Sequence, residues 1–136
     1  MPQTLTVAIM DPPYESARST SALRLVAAAL EKGVSVTVFA YEGAVSITMK
    51  DQKPHENPVH GTSCEAEAHP TTKDWVGALF SLAKARGTKL DWINCGLCVD
   101  ERGAGSWIDG PRRGSPKDFV AASLSSEQTL VIPIKG

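Results

Sequence analysis

Two cysteines, Cys95 and Cys98, stand three positions apart in the segment INCGLCVDERG, residues 93–103. A C-x-x-C pair is compatible with four uses: half of a zinc site, a dithiol/disulfide couple, a sulfur-handling nucleophile with a neighbour, or two small core residues. A lone cysteine near a strand is usually a small buried hydrophobe, and the C-x-x-C spacing favours chemistry over that packing role. The surrounding sequence has to decide among these uses.

The zinc interpretation fails on ligand number and spacing. Zinc takes four ligands, and the chain has a single C-x-x-C; the remaining candidates are Cys64, His55, His60 and His69. Their pattern, H-x4-H-x3-C-x4-H, matches no zinc module, and histidines in a polar segment are usually solvated. We therefore expect no metal and no cofactor.

A thioredoxin-type dithiol stays open as an alternative, because that motif also opens a helix after a strand. Thioredoxin-like chains carry it early, whereas here it follows a third strand. Arg112, Arg113 and Lys117 suggest a basic docking patch, but we expect a solvated loop and helix start. No G-x-G-x-x-G or P-loop pattern occurs, so nucleotide binding is not indicated.

The elements that position the cysteines follow from hydrophobic periodicity and from glycine and proline. Strands are expected at 4–10, 34–41, 89–94 and 129–134; Pro133 places the end of the last strand at a sheet edge or beyond the pairing. Helices are expected at 16–32, 71–86, 98–102 and 115–124, a long loop at 42–63 with an apolar piece at 44–49, and a Gly-rich turn at 103–105. Strand and helix alternation predicts parallel βαβ units. The fold class is α/β: a single-domain three-layer α/β/α sandwich over residues 1–136, with a mainly parallel sheet of about five strands.

Ligand sites in such sheets lie beyond the carboxyl ends of the strands. Three stretches are expected to meet there, residues 11–18, 42–45 and 95–98. Cys95 would lie between a strand and a helix, where unpaired backbone N–H groups favour a thiolate. We expect moderate reactivity, which requires an open path to the sulfur.

Composition excludes several classes of function. Hydrophobic residues make up 42% of the chain and charged residues 21%, and no apolar run approaches the roughly 20 residues of a membrane helix. A net charge of −1, without a basic stripe, does not indicate nucleic-acid binding. The first residues lack a signal-peptide pattern, so we expect a cytoplasmic protein with free thiols.

With these residues in view, the chain resembles the DsrE/DsrF/TusD-like sulfur-relay family over nearly its whole length. The likeness lies in the sequence of the expected helix and strand at residues 21–36, in VFAYEGAV (38–45), in INCGLCVDERG and in the final SSEQTLVI. Family members carry a cysteine after the third major strand and an Arg-Gly pair some eight residues later. Cys95 and Arg102-Gly103 stand in that register.

The resemblance implies a sulfur carrier or sulfurtransferase-like protein. Cys95 would accept a sulfane sulfur as a persulfide and pass it to a partner. Cys98 has no fixed role in the family pattern; because it lies one turn from Cys95, it would resolve that persulfide into a disulfide or shield the thiolate. Sulfur donor and acceptor proteins are the implied partners, and a homo- or hetero-oligomer, trimer or hexamer, is the implied assembly. The opposing hypotheses are a binding or regulatory module with structural or metal-binding cysteines, and a dithiol oxidoreductase.

Overall fold

The computed structural model describes residues 3–56, 58–67 and 69–135 of the chain. The elements follow in this order: β1 (Thr4–Ile9), α1 (Arg18–Glu31), β2 (Ser35–Ala40), a 3₁₀ helix (Glu42–Thr48), α2 (Cys64–Glu67), α3 (Thr72–Arg86), β3 (Leu90–Cys95), α4 (Gly96–Arg102), β4 (Arg112–Gly114), α5 (Pro116–Ser125) and β5 (Gln128–Ile132). Among these residues, none of the helices combines the length and the apolar composition needed to traverse a bilayer.

The sheet has five strands in the order β4-β3-β2-β1-β5, and all four strand pairings are parallel. This confirms the predicted mainly parallel sheet. The chain begins at the centre with β1 and β2, extends to one side through β3 and β4, and returns to place β5 beside β1. Pro133 follows β5 directly, in agreement with the edge position expected from its missing N–H.

Helices cover both faces of the sheet, which gives the predicted three layers. Val7, Val38 and Trp92 point to the face covered by α1 and α3 and form the larger apolar cluster with those helices. Phe39, Ile93 and Cys95 point to the opposite face, where α4 and α5 lie. On that face Phe119 of α5 stacks on Phe39 with ring centroids 5.4 Å apart. The cysteine motif therefore belongs to the α4–α5 layer.

The long helices form where the apolar spacing predicts them. Helix α1 buries Leu23, Val26 and Leu30 and ends before Gly33, whose φ of +83° is a left-handed conformation that suits glycine. Helix α5 begins after Ser115, whose backbone N–H donates to the Asp118 carboxylate at 2.9 Å. This carboxylate anchors the first turn of α5.

Two sequence expectations are wrong. The first part of the expected loop at 42–63 is the 3₁₀ helix, which buries Ala44, Val45 and Ile47 because their side chains fill the space beyond β2. The loop or helix start expected at Arg112 and Arg113 is strand β4, which exists through its pairing with β3. Both segments lie next to the cysteines, so they bear on the site.

Candidate functional site

Cys95 is the last residue of β3 and the N-cap of α4, so it stands at the strand-to-helix junction that the sequence predicts. Helix α4 begins at Gly96, two residues earlier than expected, and this places Cys98 in its first turn. The side chains of Cys95 and Cys98 are only 2% and 5% exposed. They pack with Phe39, Val45, Ile93, Val99 and Ala104.

Cys98 is held by a polar contact from the 3₁₀ helix. The backbone N–H of Glu42 donates to Cys98 Sγ at 3.1 Å. Glu42 adopts φ of +52°, a left-handed conformation that is unfavourable for a residue other than glycine. The segment that follows β2 is therefore bent back onto the cysteine.

Burial raises the pKa of the Cys98 thiol above its ordinary value. The Glu42 N–H acts against burial, the neighbouring Cys95 thiol raises the pKa further, and the charge of Arg102 lowers it. The balance favours a neutral Cys98 at neutral pH. Burial therefore weakens Cys98 as a nucleophile in its present surroundings.

A buried hydrogen-bond chain fixes the 3₁₀ helix to the end of β3. Trp92 Nε1 donates to Asn94 Oδ1 at 3.2 Å, and Asn94 Nδ2 donates to Thr48 Oγ1 at 3.1 Å; the three side chains are fully buried. The turn after β1 joins the same corner, since a Cβ on Gly43 would lie 2.9 Å from Pro12 Cβ. The three stretches expected beyond β1, β2 and β3 therefore come together.

Arg113 lies across the start of α4. Its guanidinium makes two hydrogen bonds to the Asp100 carboxylate, at 3.0 and 2.8 Å. A Cβ on Gly96 would lie 2.7 Å from Arg113 Cζ, so the guanidinium rests on the backbone of the residue after Cys95. Hydrogen bonding to Arg113 lowers the pKa of Asp100, and that carboxylate raises the pKa of Arg113.

Among the residues that the structure describes, Cys95 is 2% exposed, so the expected open path to its sulfur is not seen. The sulfur is covered because side chains from β2, the 3₁₀ helix and α4 close over the end of β3. A cavity of about 210 Å³ opens on the same face of the sheet and is lined by Ala8, Met10, Phe39, Tyr41, Pro116 and Phe119. Phe39 belongs both to this cavity wall and to the cluster that covers Cys95.

Cys64 occupies a different environment. It is half-buried in α2 and lines a cavity of about 510 Å³ together with His55, His69 and Tyr14, whereas neither Cys95 nor Cys98 lines that cavity. Across residues 3–56, 58–67 and 69–135, no three His, Cys, Asp or Glu side chains come together as a group that could hold a metal ion. His60 is exposed and is not part of the cavity wall.

Sequence reasoning missed the roles of Glu42 and Arg113. The contact of Glu42 with Cys98 is made by its backbone N–H, so no residue type signals it. Arg113 reaches Gly96 only because the three residues of β4 pair with β3, and a run of that length has no readable periodicity. A glycine at position 96 can indicate that another residue packs against the backbone there, but the sequence does not show that this residue is Arg113.

Comparisons with known proteins agree with this architecture. The crystal structure of the ychN protein from E. coli superposes with a TM-score of 0.72 at 23% sequence identity, covering 96% of this chain and 99% of that one. A protein of Methanocaldococcus jannaschii, "Uncharacterized protein MJ0989", is 42% identical over 53 residues, which are 39% of this chain. The match covers 46% of the archaeal protein, so it spans about half the length of that curated relative.

The family comparison covers almost the whole chain. The model of the DsrE/DsrF-like family matches residues 3–132, a span that includes the five strands and the C-x-x-C segment. The chain therefore belongs to the DsrE/DsrF-like family, which is generally linked to sulfur relay.

Proposed function

We propose that the protein is a sulfur carrier that accepts a sulfane sulfur on Cys95 as a persulfide and passes it to a partner protein. The observation that supports this most directly is the position of Cys95, next to Cys98 and the Arg113 guanidinium at the junction of β3 and α4, in a member of a family linked to sulfur relay. Arg113 and the first N–H groups of α4 favour an anionic sulfur there.

The loading step is an exchange between sulfurs. The Cys95 thiolate attacks the outer sulfur of a donor persulfide, the donor S–S bond breaks, and the donor leaves as a thiolate with the electron pair. Cys95 then carries the S–SH group. An acceptor thiolate removes the outer sulfur in the same way, so neither step requires a metal or an outside oxidant.

The raised pKa of Cys98 gives that residue a shielding role. A Cys98 thiolate would attack Cys95 Sγ, form the Cys95–Cys98 disulfide and expel hydrosulfide, which would waste the cargo. Because Cys98 stays protonated at neutral pH, this attack is slow.

Access requires movement, since Cys95 is 2% exposed. The start of the 3₁₀ helix is the part that would have to move, because it covers the cysteines through Val45 and joins Cys98 through the strained residue Glu42, whereas its end stays anchored to β3 through Thr48. Displacing it exposes the sulfur at the carboxyl end of the sheet. The partners are then sulfur donor and acceptor proteins that dock at this end of the sheet. The proposal also includes the homo- or hetero-oligomer that the resemblance implies.

The test is intact-mass measurement after incubation with glutathione persulfide. Wild type is expected to gain the mass of one sulfur atom, Cys95→Ser to gain none, and Cys64→Ser, the matched control, to gain as much as wild type. Cys98→Ser is expected to load as well. Loading of Cys95→Ser together with loss of loading in Cys64→Ser would move the acceptor to Cys64 and refute the proposal.

A second candidate, a binding or regulatory module with cysteines that only pack, is favoured by the burial of both thiols. Alkylation by iodoacetamide at neutral pH, followed at each cysteine by peptide mass spectrometry, separates the two candidates. Fast reaction at half-buried Cys64 with no reaction at Cys95 supports the packing role. Reaction at Cys95 that is faster than global unfolding supports the carrier.

A further inference from the structure

We propose that Arg113 is a positioning residue for Cys95, whose guanidinium rests on Gly96 and favours the anionic sulfur, while Asp100 holds the guanidinium in place and offsets part of its charge. This inference deepens the proposed function and rests on it in taking Cys95 as the reacting sulfur. Its own prediction, the control of Cys95 reactivity by Arg113, is measurable whether or not the protein carries a persulfide.

The contact with Gly96 is the first support. In the parallel pairing of β3 with β4, Asn94 is opposite Arg113 and Cys95 is opposite Gly114, so Arg113 enters directly beside the end of β3. Its guanidinium then crosses the first residue of α4. Any side chain at position 96 would collide with it, because an added Cβ would lie within 2.7 to 2.8 Å of Cζ, Nε and Nη2.

Electrostatics is the second support. Asp100 is the main cause of the raised pKa of Arg113, and an ionised Cys95 raises that pKa further. Arg113 is therefore close enough to Cys95 for the two charges to interact. Asp100 competes with the sulfur for the same cation, so removing the carboxylate should strengthen the effect of Arg113 on Cys95.

Other charged or titratable groups also face the cysteine pair. They are Asp100 and Arg102 on α4, Arg113 on β4, and Tyr41 and Glu42 at the start of the 3₁₀ helix. Asp118 of α5 is paired with Arg112 of β4 at 3.7 Å and lies beside Gly114, the register partner of Cys95. Arg102 donates to the backbone oxygen of Cys98 at 3.2 Å and therefore acts on Cys98 first. Glu42 meets Cys98 through its backbone N–H. Arg113 is the cation that contacts the residue next to Cys95.

The neighbouring residue Arg112 is a matched control. It lies on the same short strand and is about as exposed as Arg113, but it is bound to Asp91 through two hydrogen bonds of 2.9 and 3.0 Å. Arg112→Gln therefore removes one arginine from β4 together with its ion pairs to Asp91 and, at 3.7 Å, to Asp118, without touching Gly96. A general loosening of β4 would affect both variants alike.

The experiment measures the alkylation rate of Cys95 by iodoacetamide between about pH 6 and pH 10, with the full chain carrying Cys64→Ala and the site read by peptide mass spectrometry. Arg113→Gln is expected to slow the reaction at pH 7 about threefold, the size of effect typical for one partly exposed charge. Arg113→Lys, which keeps the charge, should restore part of the rate. Asp100→Asn should speed the reaction about twofold, and Arg112→Gln should leave it unchanged.

Gly96→Ala tests the geometry without removing any charge. The methyl group displaces the guanidinium and favours the helix, so stability should hold while the alkylation rate at pH 7 falls as in Arg113→Gln. If Arg113 acts through its charge, the midpoint of the curve of alkylation rate against pH shifts, while the rate at high pH stays the same. If a variant instead changes how often the site opens, the alkylation rate changes at every pH. An unchanged midpoint in both variants, or an equal shift in Arg112→Gln, overturns the inference.

The two proposals fail separately. If Cys95 takes no sulfur from glutathione persulfide but Arg113→Gln and Gly96→Ala still shift its alkylation profile, the carrier role falls and the role of Arg113 stands. If Cys95 loads sulfur and neither variant shifts the profile, the role of Arg113 falls alone.

Discussion

Replacing Gly114 by alanine adds one methyl group where the edge strand β4 meets the cluster around the cysteines. A Cβ at this position would lie 2.3 Å from Ile93 Cγ2 and 2.7 Å from Asp118 Oδ2. Ile93 is buried and packs with Cys95, so it has little room to give way. Asp118 Oδ2 accepts the Ser115 N–H at the start of α5, so displacing it also weakens that helix.

The two effects set the size of the expected loss. Overpacking a filled core site costs about 1–3 kcal/mol, and loss of a capping interaction costs about 0.5–2 kcal/mol. Alanine has less conformational entropy than glycine in the unfolded chain, which offsets about 0.4–1 kcal/mol of this loss. We expect Gly114→Ala to lower the free energy of unfolding by about 2–3 kcal/mol.

Urea denaturation followed by circular dichroism measures this loss. With a denaturant slope of about 2 kcal/mol/M, the midpoint should fall by about 1–1.5 M. Gly105→Ala is the matched control, because a Cβ there would meet Val99 Cγ1 at an ordinary 3.7 Å and stability should change by less than about 0.5 kcal/mol. A Gly114→Ala midpoint equal to that of the control would refute the packing described for β4.

Two further predictions concern Cys98 and Gly77. Because burial raises the pKa of Cys98 above the free-thiol value near 9, its contribution to stability is complete below about pH 9 and is lost as pH rises through the raised pKa. Denaturation midpoints under reducing conditions should therefore fall more steeply above about pH 9 in wild type than in Cys98→Ala, and parallel curves would contradict the assignment. Gly77 lies inside α3, where an added Cβ would lie 4.0 Å from Ile108 Cδ1, an ordinary contact distance. Gly77→Ala should therefore raise the free energy of unfolding by about 0.5–1 kcal/mol in urea denaturation, because alanine favours the helix. A loss of stability would show that the site is tighter than described.

The sequence predicts the large elements of this fold because their signals are local. In α1, Leu23, Val26 and Leu30 recur at helical spacing, and the structure buries all three. The β-branched runs around Val7 and Val38 predict strands, and β1 and β2 form there. Element ends differ by one or two residues from those predicted, since terminal turns depend on neighbours in space.

The rest depends on pairings between distant segments. Strand β4 is three residues long and is a strand only beside β3. The place of Cys95 at the end of β3 follows from sequence, but its burial comes from Phe39, Val45 and Ala104, which belong to other elements. Hydrophobic periodicity cannot show which side chains close over a strand end. The reactivity of Cys95 expected from the junction stays a prediction, and its burial adds the requirement that the site opens.

The placement of β5 has a consequence for how the chain folds. Thr4 and Glu127 are hydrogen-bonded although they stand 123 positions apart, and β1 has β2 on one side and β5 on the other. Strand β1 thus keeps an unpaired edge until residues 128–132 have been synthesised, because its second neighbour lies so far along the chain. An exposed strand edge of this kind recruits other chains. We expect forms truncated before Gln128 to self-associate, whereas chains that include β5 cover this edge of β1.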